Sequence, residues 1–231
     1  MKGKNNIYIL DAGHGGIDEN GDYLTAGKRS PVWHDGKIYY EGEGNRLIVE
    51  GIAEKLDKLG IEYHVLVPEV EDVALWERVK RIKELDTDLN KIVISVHSNG
   101  YQYRYIDQKC TIIYNPKIHG KISSGKLFRK PYLEPTSANG WEVFTSKGNT
   151  ESDNLAKVFH RHARKQLGDR FKMRGCKEAD FYMLKRHPFT AILTENLFHT
   201  NERDCRFLMS YNGRREIIKL HVNAIQEYEG L

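Results

Sequence analysis

Short apolar runs alternate along this chain with longer stretches whose apolar residues recur at helical spacing. Ile7-Tyr8-Ile9-Leu10 is continuous, too brief for a helix and closed by a glycine-rich turn, the pattern of a buried strand. Leu47, Ile48, Ile52, Leu56 and Leu59 fall on one helical face; they predict a helix from near Asn45, with Gly60 as its stop and a strand over 62–67. Val73, Trp76, Val79, Ile82 and Leu85 repeat the helical spacing, with Asp72 placed as an N-cap, and lead to an apolar strand that ends at His97. Further on, the pattern predicts a strand over 141–144, a helix over 151–167 closed by Gly168, a strand over 191–194 and a helix over 214–228. Such alternation specifies an α/β fold: one domain, an open, mostly parallel twisted sheet with helices on both faces.

Three of the predicted strands deliver one ionisable side chain each at the carboxyl end, where sites in open α/β sheets gather. His14 follows the first strand in Asp11-Ala12-Gly13-His14-Gly15-Gly16, His97 ends the strand in Ser95-Val96-His97-Ser98-Asn99, and Glu195 follows Ala191-Ile192-Leu193-Thr194. Glu41, before the amphipathic run from Asn45, is the fourth member, with Glu43 a rival two residues on. Two imidazoles and a carboxylate suit zinc (Zn2+), and three protein ligands leave one position open, the catalytic type of site. Glu195 is then available as general base. The plainer readings are an acid at a helix N-terminus for Glu41 and an ion pair with Arg174 for Glu195. Asn99 and Arg174 are candidate substrate-binding residues, since an amide and a guanidinium hold carbonyl or carboxylate groups. His34 and His187 lie in loops near the expected site; His64, His119, His160, His162, His199 and His221 are read as structural or surface residues. No HExxH helix is present, which disfavours a thermolysin-type protease.

Composition narrows the class. With 231 residues and 39% hydrophobic content the chain can bury one substantial core, so residues 1–231 are expected to form one catalytic domain. Residues 100–140, rich in tyrosine and lysine and carrying Pro116, Pro131 and Pro135, interrupt the alternation beside His97 and are expected to wall a substrate groove, with Cys110 to Tyr114 a candidate hairpin strand. Residues 17–40 would form the opposite wall. Cys110, Cys176 and Cys205 show no metal-knot spacing and are expected to be reduced. The balance of 36 basic and 32 acidic residues, net +4, is mild, and no nucleic-acid motif accompanies the basic clusters at 157–172 and 185–187, so these are expected to be solvated helix faces. The polar N-terminus and the lack of a long apolar stretch predict synthesis in the cytoplasm without a signal peptide and no membrane partner.

Together the motifs around His14, Glu41 to Asn45, His97 and Glu195 to Asn201 resemble the zinc-dependent N-acetylmuramoyl-L-alanine amidases of the third amidase type, found in bacterial autolysins and phage endolysins. The resemblance covers nearly the whole chain. It implies that His14, Glu41 and His97 bind zinc, that Glu195 is catalytic, and that a monomer cleaves the amide between N-acetylmuramic acid and L-alanine in peptidoglycan. The stretch Asn196 to His199 departs from the family's glycine-phenylalanine-leucine-serine pattern. Residue chemistry alone equally suits a zinc carboxypeptidase or another amide hydrolase, and a reading from a different class is a non-catalytic cell-wall-binding protein of the same fold.

Overall fold

The computed structural model describes residues 5–25, 27–101 and 136–231. The first strand, β1 (Asn6–Ala12), is buried along its whole length, as its unbroken apolar run requires. Around it stand β2 (Tyr63–Val65), β3 (Asn90–Asn99), β4 (Trp141–Thr145), β5 (Met173–Glu178) and β6 (Thr190–Phe198), in the order β2-β1-β3-β6-β4-β5. β1 runs parallel to β2 and β3, and β3 to β6. β4 is antiparallel to β6 and parallel to β5, so one pairing of the five is reversed. Leu10 is level with Ile94 and Ile94 with Ile192; Val96 is level with Thr194 and His97 with Glu195. That register brings the carboxyl ends of β1, β3 and β6 to a common edge.

The alternation of side chains along each strand divides the core in two. Tyr8, Leu10, Ile94 and Ile192 face α1 (Glu41–Leu59), α3 (Glu151–Leu167), α5 (Glu202–Met209) and α6 (Tyr211–Glu229). Ile9, Val93, Ala191 and Leu193 face the shorter α2 (Leu75–Glu84) and α4 (Tyr182–Lys185). The fold is thus α/β with a mostly parallel sheet covered on both faces.

Several local expectations change. α1 begins at Glu41 rather than Asn45, and its buried stripe is Ile48, Val49, Ile52, Ala53 and Leu56, while Leu47 and Leu59 are exposed. Gly60 does end it, at φ 64, donating its N–H to the Asp57 and Leu56 carbonyls. Asp72 does not cap α2: the helix starts after Ala74, and the Asp72 carboxylate instead accepts from the Thr25 hydroxyl at 2.7 Å. Trp76, placed on the apolar face by spacing, is exposed. Gly168 closes α3 in right-handed geometry, at φ −61.

Three elements have no counterpart in the sequence pattern: β5, an edge strand of mixed composition, the single-turn α4, and α5, whose N-terminus is capped by Asn201 accepting from the Asp204 N–H. Residues 17–40 are more than a wall, since Trp33 and Tyr39 enter the core and the Trp33 indole donates to Cys205 Sγ at 3.3 Å. His160 stacks on Trp141 and His162 bonds Glu227, so neither is a loose surface residue. Cys176 and Cys205 carry unpaired thiols. Most of the expected groove wall at 100–140, with Cys110 and the candidate hairpin strand, lies outside the described residues. Among the described residues no helix is long and apolar enough to cross a membrane.

Candidate metal centre

The turn after β1 places His14 in the left-handed region, at φ 68, a costly conformation for a residue with a side chain. Its neighbours hold it there. The Gly13 N–H donates to the Val96 carbonyl at 3.0 Å, Asn45 donates to the Gly13 carbonyl at 3.1 Å, and the His14 carbonyl accepts from Arg46 at 2.8 Å and Arg78 at 3.3 Å. Glycine at 13 is required by contact: a Cβ there would stand 2.1 Å from Cε1 of His97. At Gly42 a Cβ would stand 1.9 Å from the Gly15 carbonyl oxygen, so the same freedom lets the start of α1 lie against the turn.

This packing brings Glu41 between the two histidines. Its Oε1 is 3.2 Å from His14 Nε2 and 3.1 Å from His97 Nδ1, and one ligand atom from each residue lies within 4.8 Å of the others. The imidazoles keep 19% and 16% of their side-chain surface exposed against 4% for Glu41, so the group opens to solvent on the histidine side. Burial pushes the Glu41 carboxyl up, but its hydrogen bonds to His14 and His97 and the charge of His14 outweigh this and hold it well below the usual carboxylate range. Two nitrogens and an oxygen at this spacing can hold a metal ion, and the donor set fits a borderline divalent one. Glu43, the rival ligand, lies outside this group, with its Oε2 beside Gly16.

Sequence reasoning missed the support beneath His14. Arg78 is fully buried; it meets Asp11 at 2.7 Å and donates to the carbonyls of Ala12 at 2.6 Å and Val73 at 2.8 Å. The other Asp11 oxygen accepts from the Ser95 hydroxyl at 2.5 Å. The available signal was Asp11 itself, an acid ending a buried strand that therefore demands a buried cation.

Glu195 sits level with His97 on one side and Glu142 on the other. Its Oε2 is buried and has no hydrogen-bond partner among the described residues. Loss of hydration, reinforced by the negative charges of Glu41 and Glu142 and opposed by Lys28, pushes its carboxyl well above the ordinary range. The ion pair with Arg174 considered from sequence does not form. Arg174 instead meets Glu142 at 2.8 Å, where Lys177 also binds, and Asn99 donates to the other Glu142 oxygen at 2.7 Å. Asn99 still lines the cavity over the site, but Arg174 does not. His34 pairs with Glu202 and His187 bonds the Met183 carbonyl; neither reaches the cavity.

The cavity, ≈ 360 Å³, is lined among the described residues by His14, Glu41, His97 and Glu195, by the apolar side chains of Leu75, Phe181, Met183 and Leu193, and by Lys28. His199, taken from sequence as structural, lines it too. An enclosed carboxyl with an unbonded oxygen beside three convergent metal-binding groups is an arrangement suited to metal-assisted hydrolysis.

The comparison with known families agrees with this class of site. The N-acetylmuramoyl-L-alanine amidase family model matches residues 9–227, and the chain belongs to that family. Among solved structures it is similar to the N-acetylmuramoyl-L-alanine amidase AmiC2 of Nostoc punctiforme, at 20% identity and a TM-score of 0.68, covering 100% of both chains. It is also similar to the N-acetylmuramoyl-L-alanine amidase from Clostridium difficile 630, at 20% identity and a TM-score of 0.70, covering 96% of each chain. The catalytic domain of the CD27L endolysin targeting Clostridia difficile matches at 20% identity and a TM-score of 0.62, covering 96% of this chain and 97% of that one. At these identities the structures establish the fold. No curated protein sequence matches the chain.

Proposed function

We propose that this amidase hydrolyses the amide joining the lactyl group of N-acetylmuramic acid to the first L-alanine of the peptidoglycan stem, with zinc held by His14, Glu41 and His97 and with Glu195 as general base. The observation that carries the reading is the approach of Glu41 to both histidines beside the unbonded Glu195 carboxyl. What zinc supplies there is a Lewis acid at the scissile carbonyl. Glu195 takes a proton from the attacking water as its hydroxyl adds to the carbonyl carbon. The same carboxyl then gives that proton to the alanine nitrogen as the C–N bond breaks, leaving a carboxylic acid on the lactyl group and a peptide with a new amino terminus. The acting unit in this reading is a monomeric catalytic domain spanning 1–231, with residues 100–140 walling the groove.

The test is digestion of purified cell walls with and without a chelator, followed by mass spectrometry of the released fragments and metal analysis of the protein. Stem peptides beginning with a free L-alanine amine, together with about one zinc per chain, are expected, the chelator abolishing release. Release of carboxyl-terminal residues instead would identify a carboxypeptidase. Wall binding without release would identify a non-catalytic binder.

A further inference from the structure

Past Glu195, β6 slips register between its pairings with His97 and Asn99, and Leu197 takes the left-handed φ of 67 in this bulge. The bulge sets the position of His199, within the stretch that departs from the family pattern. His199 is buried at the cavity wall; its backbone N–H donates to the Asn99 carbonyl at 2.8 Å and its Nδ1 lies 3.0 Å from the Ser98 carbonyl oxygen. A carbonyl oxygen only accepts, so Nδ1 carries the proton and Nε2 presents a lone pair. Among the described residues Nε2 has no hydrogen-bond partner. The ring edge that carries it lies over Gly100, where a Cβ would come within 2.7 Å of Nε2, and Tyr39 stacks on the ring with centroids 6.3 Å apart. Burial also pushes the imidazole down.

The geometry points to His199 as a substrate-binding residue whose Nε2 accepts a hydrogen bond from a peptide N–H of the stem; this rests on the amidase reading above. Of the two carboxylates on this wall, Glu41 faces the histidines and Glu195 is the proposed base. An amide N–H only donates, so it needs an acceptor the chemistry does not consume, and a neutral imidazole loses less hydration than a carboxylate on meeting it. A sugar hydroxyl, which donates and accepts, has no such requirement.

The experiment compares the zinc-loaded full chain with His199→Leu and His199→Gln, using a muramyl tripeptide for turnover and, by calorimetry, the free stem tripeptide and N-acetylmuramic acid separately. His199→Leu is expected to lower kcat/KM about 10- to 100-fold, the size of one buried hydrogen bond left unmade, and to weaken the free tripeptide similarly. His199→Gln, which returns an acceptor near Nε2, should recover most of both. Zinc affinity should stay within about threefold in each variant, since His199 is neither ligand nor partner to one, whereas such partners move affinity 10- to 100-fold. Equal kcat/KM in wild type and His199→Leu, no recovery with glutamine, or an effect confined to N-acetylmuramic acid would overturn the assignment. If wild type does not turn the substrate over, the amidase reading fails on its own, and the tripeptide calorimetry still decides for or against His199.

Discussion

Replacing Arg78 with leucine keeps an apolar body in the buried space but removes the cation that meets Asp11 at 2.7 Å. Asp11 is 1% exposed and Arg78 2%, so water cannot take the guanidinium's place. Leaving one partner of such a buried pair uncompensated costs about 3–5 kcal/mol. The Ala12 and Val73 carbonyls also lose a donor, while the His14 carbonyl retains Arg46 at 2.8 Å. We therefore expect Arg78→Leu to lose about 3–5 kcal/mol of unfolding free energy in urea titrations of the chelator-stripped protein. Asp11→Asn combined with Arg78→Leu should be less damaged than the sum of the single variants by about 2 kcal/mol, because the orphaned charge is gone. Because the same guanidinium supports the left-handed His14 turn, zinc affinity measured by competition with a chromophoric chelator should fall about 10- to 100-fold. A loss below about 1 kcal/mol with strictly additive single variants would refute the argument that Asp11 depends on Arg78.

Three further outcomes are expected. Glu195→Gln keeps the shape of the side chain but cannot accept the proton, so wall hydrolysis should fall about 10²- to 10⁴-fold with zinc content unchanged; lost zinc would make Glu195 a ligand, and near-normal turnover would remove it as the base. Gly13→Ala places a methyl group 2.1 Å from the His97 ring, which must shift, so zinc affinity should weaken about tenfold or more; unchanged affinity would show that the ring has room. His221 is buried with Nδ1 donating to the Ile217 carbonyl and Nε2 accepting from Thr194, and burial pushes its imidazole down to about 4. The unfolded chain, with an ordinary histidine near 6.5, then binds more protons between those values, so stability is complete above pH 6.5 and declines as pH falls toward 4, by about 3 kcal/mol from this residue. Urea titrations across that range should show His221→Gln losing less than wild type; parallel pH curves would remove His221 as the cause.

Much of this protein is written locally. Ile7 to Leu10 and the run ending at His97 are apolar enough to be buried on both faces, and such strands form wherever helices can cover them, so the α/β class and the positions of His14 and His97 near strand ends follow from period and turn chemistry, whereas Glu195, expected to follow a strand over 191–194, lies inside β6, which runs on to Phe198. The stop at Gly60 is equally local, because a left-handed helix end favours glycine whatever surrounds it. The start of α1 was not legible, since Gly42 and Gly44 have low helix propensity and take their place through contact with Gly15 and Tyr39. Nor was the assignment of charges. Asp11 and Arg78 are 67 residues apart, and Arg174 meets Glu142 instead of Glu195 because β4 and β5 lie beyond β6 in the sheet. His199 looked like one more structural histidine until the bulge in β6 put it on the cavity wall and the Ser98 carbonyl fixed which nitrogen carries the proton. Backbone preference and apolar period act over a few residues and survive in the sequence, whereas the partner of a buried charge is chosen by whichever strands the finished sheet sets side by side.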